Sequence, residues 1–176
     1  MEMHQLRYFL AVCETLNFTR AAETCQVTEP EGIAERFRVK PLYRERFVVA
    51  FTPGHRFELM KAVGTIDCGG ESYLMRTNCE YGSYWDDFLE GNKVDLKEVY
   101  RSEREDWIQT MVMAGLGICF IPEFSPVVAG LPTRPLIEPE VYREVSLVTV
   151  PGRRFTPAVA AFVKTMKRYP WQESPN

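Results

Sequence analysis

Short apolar strands and amphipathic helices alternate along most of the chain, and this alternation is the feature that most limits its fold. Residues 47–51 form a uniformly apolar run, typical of a strand covered on both faces. Residues 73–76 and 98–100 predict two more strands, and the segments 84–89 and 105–114 that follow them predict helices. Strand, helix, strand at these lengths predicts parallel pairing in an α/β sheet.

The pattern continues to the end of the chain. Residues 118–122 and 144–150 predict strands, and Thr156 followed by Pro157 predicts the start of a helix that runs to about residue 169. Gly91 is the predicted C-terminal cap of the first helix. Lys164, Lys167 and Arg168 on the last helix are typical of a solvated face, with a phosphate-binding patch as the alternative.

The first 28 residues follow a different, purely helical pattern. Apolar side chains spaced three and four residues apart predict one helix: Leu6, Phe9, Leu10, Cys13 and Leu16. Thr19 is a good N-cap for a short second helix that begins with Arg20. This arrangement predicts the start of a helix-turn-helix, in which Thr19 and Arg20 would be remnants of a DNA-contacting surface, although any two-helix hairpin could give the same spacing.

Composition and charge limit the classes of protein that fit. The chain has 176 residues, 45% of them hydrophobic, and a net charge of −3, which suits a soluble protein without gross affinity for nucleic acid. Its first residues show no basic-then-apolar leader, and its most apolar stretch, 108–121, is too short to span a bilayer, so we expect a cytoplasmic protein without a membrane partner. Its five cysteines form no CxxC or His-containing ligand spacing, so neither a metal site nor a cofactor is predicted. The two histidines lie near no nucleophile motif, so the sequence predicts no catalytic residues and no enzyme activity.

Several stretches resemble a known family. Residues 5–9 (QLRYF), 17–23 (NFTRAAE) and 27–28 (VT) look like the opening of LysR-type transcriptional regulators. The stretches VKPLYRE (39–45), SEREDW (102–107), AGLGI (114–118), REVSL (143–147) and GRR (152–154) resemble the effector-binding domain of the same family. The resemblance implies a fold like that of periplasmic binding proteins, in which two α/β subdomains are joined by crossing strands and a small effector lies between them.

The resemblance also implies that part of the family pattern is missing. After Thr28 the family continues with a recognition helix, a wing and a linker helix. Here the acidic segment 29–35 follows instead, and it offers no Arg, Lys, Gln or Ser to a base edge or a phosphate. We therefore expect a partial winged helix-turn-helix (1–28), a junction (29–33), an incomplete effector-binding domain (34–171) and a tail (172–176). One subdomain, 55–138, is expected to be complete, whereas the strand at Phe47 and the helix face at Val159 are expected to lack apolar partners.

The predicted effector site lies at the carboxyl ends of the strands, where ligands of parallel α/β folds collect. Its candidate residues are Arg76, Thr77, Asn78, Ser83, Ser102 and Glu103, with Arg76 as a carboxylate clamp. Simple turn and cap chemistry is the alternative for Thr77 and Asn78, and capping of the following helix is the favoured interpretation of Ser102 and Glu103. Cys79 is a redox candidate by resemblance to peroxide-sensing members of the family.

Three kinds of function remain open from the sequence. The first is a LysR-type regulator by descent, with DNA, an unidentified small effector and other subunits in a homo- or hetero-oligomer as its partners. The second is a stand-alone effector-binding module or a dominant-negative partner of an intact homologue. The third is a solute-binding receptor or an enzyme of the same fold. The sequence shows no export signal, which argues against the receptor, and no catalytic constellation, which argues against the enzyme.

Overall fold

The computed structural model describes residues 37–77 and 79–171. Seven strands and three α-helices follow one another there: β1 (Arg38–Ala50), β2 (Val63–Gly64), β3 (Ser72–Arg76), α1 (Gly82–Gly91), β4 (Lys97–Ser102), α2 (Glu105–Met113), β5 (Cys119–Pro122), β6 (Thr133–Ile137), β7 (Tyr142–Thr149) and α3 (Pro157–Arg168). Short 3₁₀ helices at Arg56–Leu59 and Thr65–Cys68 flank β2. The predicted α/β class is confirmed. The predictions for the helix-turn-helix, with Thr19 and Arg20, and for Asn78 lie outside the described residues.

The chain divides into two compact units. Among the described residues, the larger unit comprises 43–77, 79–145 and Trp171, and the smaller unit comprises 37–42 and 146–170. β1 and β7 each run from one unit into the other, so two of the strands belong to both. The larger unit contains β2 to β6 with α1 and α2, and the described part of the smaller unit contains α3.

β1 is the central strand of the main sheet, whose order is β2-β6-β1-β5, with β7 also paired to β1. It pairs antiparallel with both β5 and β6, so the expected parallel arrangement does not extend to this strand. The direction of β1 depends on long-range connections that a local pattern does not contain. Phe47 is 0% exposed and contacts Tyr81 and Trp85 edge-on, so the expectation that this strand lacks apolar partners is wrong.

Alternate side chains of β1 enter two hydrophobic clusters, because successive residues of a strand point to opposite faces of its sheet. The first cluster includes Phe47, Val49 and Phe51 with Trp85 and Phe120. The second includes Val48 and Ala50 with Ile108 and Val112 of α2. This coverage of both faces explains the uniformly apolar run predicted as a buried strand.

β3 and β4 confirm the predicted strand-helix-strand unit, because they pair in parallel with α1 between them. A parallel bridge from Tyr73 to Ile118 brings the beginning of β5 alongside β3. Gly117 makes this approach possible: a Cβ there would lie only 2.9 Å from the carbonyl carbon of Ser72. The second glycine of the AGLGI stretch (114–118) is therefore required for the close packing of β3 against the start of β5.

The helices begin and end close to the predicted residues, with one correction. Gly91 is still helical, and Asn92 is the C-cap of α1, where its side-chain amide donates to the carbonyl of Phe88 (2.8 Å). The prediction for Thr156 is confirmed, since its hydroxyl accepts a hydrogen bond from the backbone N–H of Val159 (3.4 Å). None of the helices in residues 37–77 and 79–171 is long and apolar enough to span a bilayer.

Candidate functional site

The carboxyl ends of β3 and β4 lie side by side, as expected for parallel neighbours. Arg76 and Ser102 are register partners, and the backbone N–H of Thr77 donates to the carbonyl of Ser102 (3.0 Å). Glu103 follows on the exposed loop before α2. The structure therefore brings four candidate residues to the end of the two-stranded sheet where both strands finish: Arg76, Thr77, Ser102 and Glu103. Ser83 lies in the first turn of α1 with its side chain exposed.

Arg76 is 8% exposed, and its guanidinium already has partners within the chain. Its Nη1 donates to Glu105 (2.9 Å) and its Nη2 to the sulfur of Cys79 (3.3 Å), with Glu80 at 3.9 Å. Burial alone would lower the pKa of Arg76, but Cys79, Glu105 and Glu80 raise it above its ordinary value. Its Nε is buried and has no hydrogen-bond partner among the residues that the structure describes. A carboxylate effector would therefore have to compete with Glu105 for this guanidinium.

Arg76 is one member of a chain of alternating charges, the ion-pair ladder, formed by Glu45, Arg143, Glu80, Arg76 and Glu105. Arg143 joins the first two carboxylates: its Nη2 lies 2.7 Å from Glu45 and its Nη1 donates to Glu80 at 2.7 Å. Glu45 is 0% exposed and also accepts a hydrogen bond from the backbone N–H of Phe124 (2.8 Å). Burial would raise the pKa of Glu80, but hydrogen bonding and charge from Arg143 and Arg76 lower it overall.

Gln109 extends the ladder from Glu105 to the loop after β5. It is fully buried, and its amide nitrogen donates to Glu105 (3.3 Å) and to the carbonyl of Ser125 (3.0 Å). Its oxygen accepts from the backbone N–H of Val127 (2.8 Å). This one side chain therefore fixes the loop against α2, because each polar atom of its amide is used.

Ser102 does not cap α2, although the sequence favours that role for it. Its hydroxyl accepts a hydrogen bond from the backbone N–H of Arg104 (3.0 Å), but Arg104 is itself the N-cap residue of α2, so the bond closes a local turn before the helix. Glu103 lines a surface cavity of about 430 Å³ together with Arg104, Glu105, Asp106, Phe124, Ser125 and Val127. Of the three carboxylates that line this cavity, Asp106 pairs with Arg104 (2.6 Å) and Glu105 pairs with Arg76. Glu103 is the one for which the described residues provide no partner.

The redox role of Cys79 stays a prediction. Its sulfur lies 3.3 Å from the guanidinium of Arg76, and the residue is 8% exposed. The other described cysteines, Cys68 and Cys119, are buried, and burial raises the pKa of each thiol to about 12. The described residues contain no group of His, Cys, Asp and Glu placed to hold a metal ion.

Sequence reasoning found Arg76 but missed the carboxylates that hold it and the ladder to which it belongs. Glu45 is the informative case, because a glutamate that stands two residues before a buried apolar run continues the inward-facing alternation of the strand. That alternation could have identified it as a buried carboxylate in need of a cation. Its partner Arg143 is 98 residues away, so no local spacing indicates the pair.

Two family profiles match the chain. The profile of the "LysR substrate binding domain" matches residues 27–170, and that of the "Bacterial regulatory helix-turn-helix protein, lysR family" matches residues 3–31. None of the curated proteins compared with the chain matches it.

Solved structures of regulators share the fold. The effector binding domain of QuiR in complex with shikimate superposes with a TM-score of 0.61 at 19% identity, over 81% of this chain and 68% of that one. The Synechocystis PCC6803 CcmR regulatory domain in complex with 2-PG gives 0.61 at 14%, over 79% and 68%. HinK, a LysR family transcriptional regulator from Pseudomonas aeruginosa, gives 0.60 at 17%, over 80% and 51%. The substrate-binding profile spans most of the sequence, and the chain therefore belongs to the LysR family of transcriptional regulators, with an effector-binding domain of the periplasmic-binding-protein type.

Proposed function

We propose that this chain is an effector-binding module that does not recognise a DNA sequence by itself. The observation that carries the proposal is the overlap of the two family matches at residues 27–31. This overlap leaves no residues between them for the recognition helix, wing and linker helix that the family resemblance implies. Loss of that helix removes direct base readout, and specific binding normally exceeds non-specific binding by roughly 4–10 kcal/mol.

The same overlap supports the domain limits that the sequence predicts: a partial helix-turn-helix (1–28), a junction (29–33) and an effector-binding domain (34–171). A regulator of this kind acts on DNA inside the cell, so we propose a cytoplasmic location for this chain. Its activity would consist of binding a small molecule and, in an oligomer with an intact homologue, of altering how that homologue binds DNA.

Selection from a random duplex library tests the DNA part of the proposal. The purified chain is incubated with the library at physiological salt, bound duplexes are amplified over several rounds, and an intact LysR-family regulator is treated in parallel. We expect a dyad-symmetric motif to be enriched by the intact regulator and none by this chain. Enrichment of a motif by this chain alone would refute the proposal.

We further propose that the effector is a small hydroxylated molecule bound at the strand ends, by Arg76, Thr77, Asn78, Ser83, Ser102 and Glu103. The hydrogen bond from Arg76 to Glu105 supports this class over a simple carboxylate, because the charge of the guanidinium is already balanced. The contribution of Thr77 would be its hydroxyl, since its backbone N–H already donates to Ser102. Shikimate, bound by the fold relative QuiR, is a suitable first probe.

A thermal-shift panel of small hydroxylated metabolites, with shikimate included, tests the site. A ligand at about 100 times its Kd adds roughly 2.7 kcal/mol of stability, which raises the midpoint by several degrees. We expect at least one compound to do so in the wild type and in Thr165→Val, but not in Thr77→Val. Thr165 is the matched control, because it is an exposed threonine of α3 in the smaller unit. A panel without any shift, or an equal shift in Thr77→Val, would contradict the assignment.

A further inference from the structure

The described residues of the smaller unit have an unusual charge composition. They contain seven cations and no carboxylate: Arg38, Lys40, Arg153, Arg154, Lys164, Lys167 and Arg168. The whole chain carries a net charge of −3, so the rest of the sequence carries a net −10. The charges of this regulator are therefore strongly segregated along the sequence.

These cations are available to a partner from outside. All seven residues are exposed, and none takes part in the ion pairs described for residues 37–77 and 79–171. Exposed charges further apart than about 8–10 Å are largely screened at physiological salt. The local density of cations, and not the net charge of the chain, therefore determines how this region interacts with a polyanion.

A groove brings three of the cations together. Arg38 and Lys40 of β1 and Lys167 of α3 line a cavity of about 520 Å³, whose other lining residues are Phe37, Val39, Leu147 and Thr149. Lys40 is held there by a hydrogen bond from its Nζ to the backbone carbonyl of Lys167 (3.2 Å). The groove therefore brings three exposed cations to one place, and the ammonium of Lys40 is oriented by this hydrogen bond.

α3 adds two more cations to this region. Lys164 lies three residues before Lys167 and four before Arg168, so these side chains share one side of the helix, with about 5–6 Å between Lys164 and each of the other two. We define the basic surface as Arg38, Lys40, Lys164, Lys167 and Arg168. We propose that the basic surface binds the phosphate backbone of double-stranded nucleic acid without reading its sequence.

The geometry of α3 favours nucleic acid over an anionic membrane. A helix that lies in a membrane surface inserts its apolar face between the headgroups, with its cations at the flanks. The exposed apolar residues of α3, Val159 and Phe162, lie on the face opposite to Lys164, Lys167 and Arg168, by the periodicity of 3.6 residues per turn. The cations and the apolar side chains of this helix therefore cannot meet one flat surface together, whereas a phosphate backbone needs the cations alone.

Fluorescence anisotropy of the full-length chain with a labelled duplex of scrambled sequence, about two helical turns long, tests the proposal. Binding through about four phosphates predicts a fall in affinity of roughly 10²-fold between about 50 and 200 mM salt. Two duplexes of unrelated sequence should bind equally. Absence of binding at low salt, or affinity that does not change with salt, would overturn the proposal.

A matched pair of variants tests the location. Lys164→Gln/Lys167→Gln and Lys61→Gln/Lys97→Gln each remove two exposed positive charges, but only the first pair lies in the basic surface. We expect the first to weaken duplex binding by about tenfold or more and to reduce the salt slope by about 1.8, and the second to leave both within error. Thermal melts establish that both variants are folded. Equal losses in the two variants would overturn the proposal, because net charge alone would then explain the binding.

Sedimentation with vesicles of equal parts phosphatidylserine and phosphatidylcholine provides the remaining arm. Binding to vesicles without binding to duplexes would overturn the proposal in favour of a membrane surface. Sequence selectivity is scored separately in the library selection, so a motif found there refutes the proposed function and leaves the basic surface to be judged by the charge variants. The two proposals can therefore fail independently.

Discussion

Replacement of Arg143 by methionine tests how much the larger unit depends on its buried ion pair. Glu45 is 0% exposed and has two charged contacts, both from the Arg143 guanidinium, at 2.7 and 2.8 Å. Arg143→Met keeps an unbranched apolar stem and removes the cation. Of the contacts described for residues 37–77 and 79–171, the carboxylate of Glu45 then keeps the hydrogen bond from the backbone N–H of Phe124. Removal of one partner from a buried ion pair typically costs about 3–5 kcal/mol, because the remaining charge is left uncompensated.

The same guanidinium provides an internal control. Glu80 also accepts a hydrogen bond from Arg143 at 2.7 Å, but its side chain is 34% exposed. Exposed pairs contribute only about 0–1 kcal/mol, so Glu80→Gln should cost far less than Arg143→Met although the distances are equal. The double variant Glu45→Gln/Arg143→Met removes the stranded charge and should be more stable than Arg143→Met alone.

Urea unfolding, followed by tryptophan fluorescence, measures the stability of the wild type and the three variants. With a slope of about 2 kcal/mol per molar urea, Arg143→Met should lower the midpoint by roughly 2 M, and Glu80→Gln by less than about 0.5 M. The double variant should regain part of the loss. A midpoint of Arg143→Met that equals that of Glu80→Gln, or a double variant less stable than Arg143→Met, would refute the reasoning that burial sets the energy of this pair.

Three further predictions follow from single side chains. Thr156→Ala removes the N-cap hydrogen bond of α3 and should cost about 1 kcal/mol, visible as faster amide exchange in its first turn; unchanged exchange would count against the cap. Cys68 and Cys119, whose thiol pKa values are raised to about 12 by burial, should escape iodoacetamide at pH 8 until urea is added, as read by peptide mass spectrometry. Burial would raise the pKa of Glu80, but its contacts with Arg143 lower that pKa below the unfolded value of about 4.3. The ionised carboxylate of Glu80 therefore stabilises the fold above that pH, and this contribution is lost as the pH falls through the folded pKa. Wild type should therefore lose more stability than Glu80→Gln between pH 5 and pH 3, and equal losses would contradict this.

Local features of the fold could be predicted because their causes are local. The Thr156–Pro157 pair contains both signals that start α3, a capping hydroxyl and a proline that needs no hydrogen-bond donor. The parallel pairing of β3 and β4 follows from the length of the helix between them. The placement of Arg76 next to Ser102 then follows from that pairing alone, so this part of the site could be predicted from the sequence.

Non-local features could not be predicted in this way. β6 pairs with β1 although Pro135 lies in it, and a proline without an N–H argues against a paired strand when the sequence is considered alone. The antiparallel direction of β1 depends on the same distant contacts. The sequence predicts Gly91 as the cap because glycine commonly ends helices, but the backbone and side-chain N–H groups of Asn92 donate to the carbonyls of Phe88 and Glu90 instead.

The contrast between the two units in their use of charge is the strongest reason to look for a partner of the basic surface. In the larger unit the ion-pair ladder balances Arg76 and Arg143 with carboxylates of the same chain, so these cations are explained by the fold. In the smaller unit the C-terminal dipole of α3 could account for one or two cations in its last turn, at about 0.3–1 kcal/mol each. That leaves most of the seven cations without a structural role among the described residues, and mutual repulsion makes their concentration unfavourable for folding. An external polyanion would remove this cost, and the salt dependence of duplex binding measures whether it does.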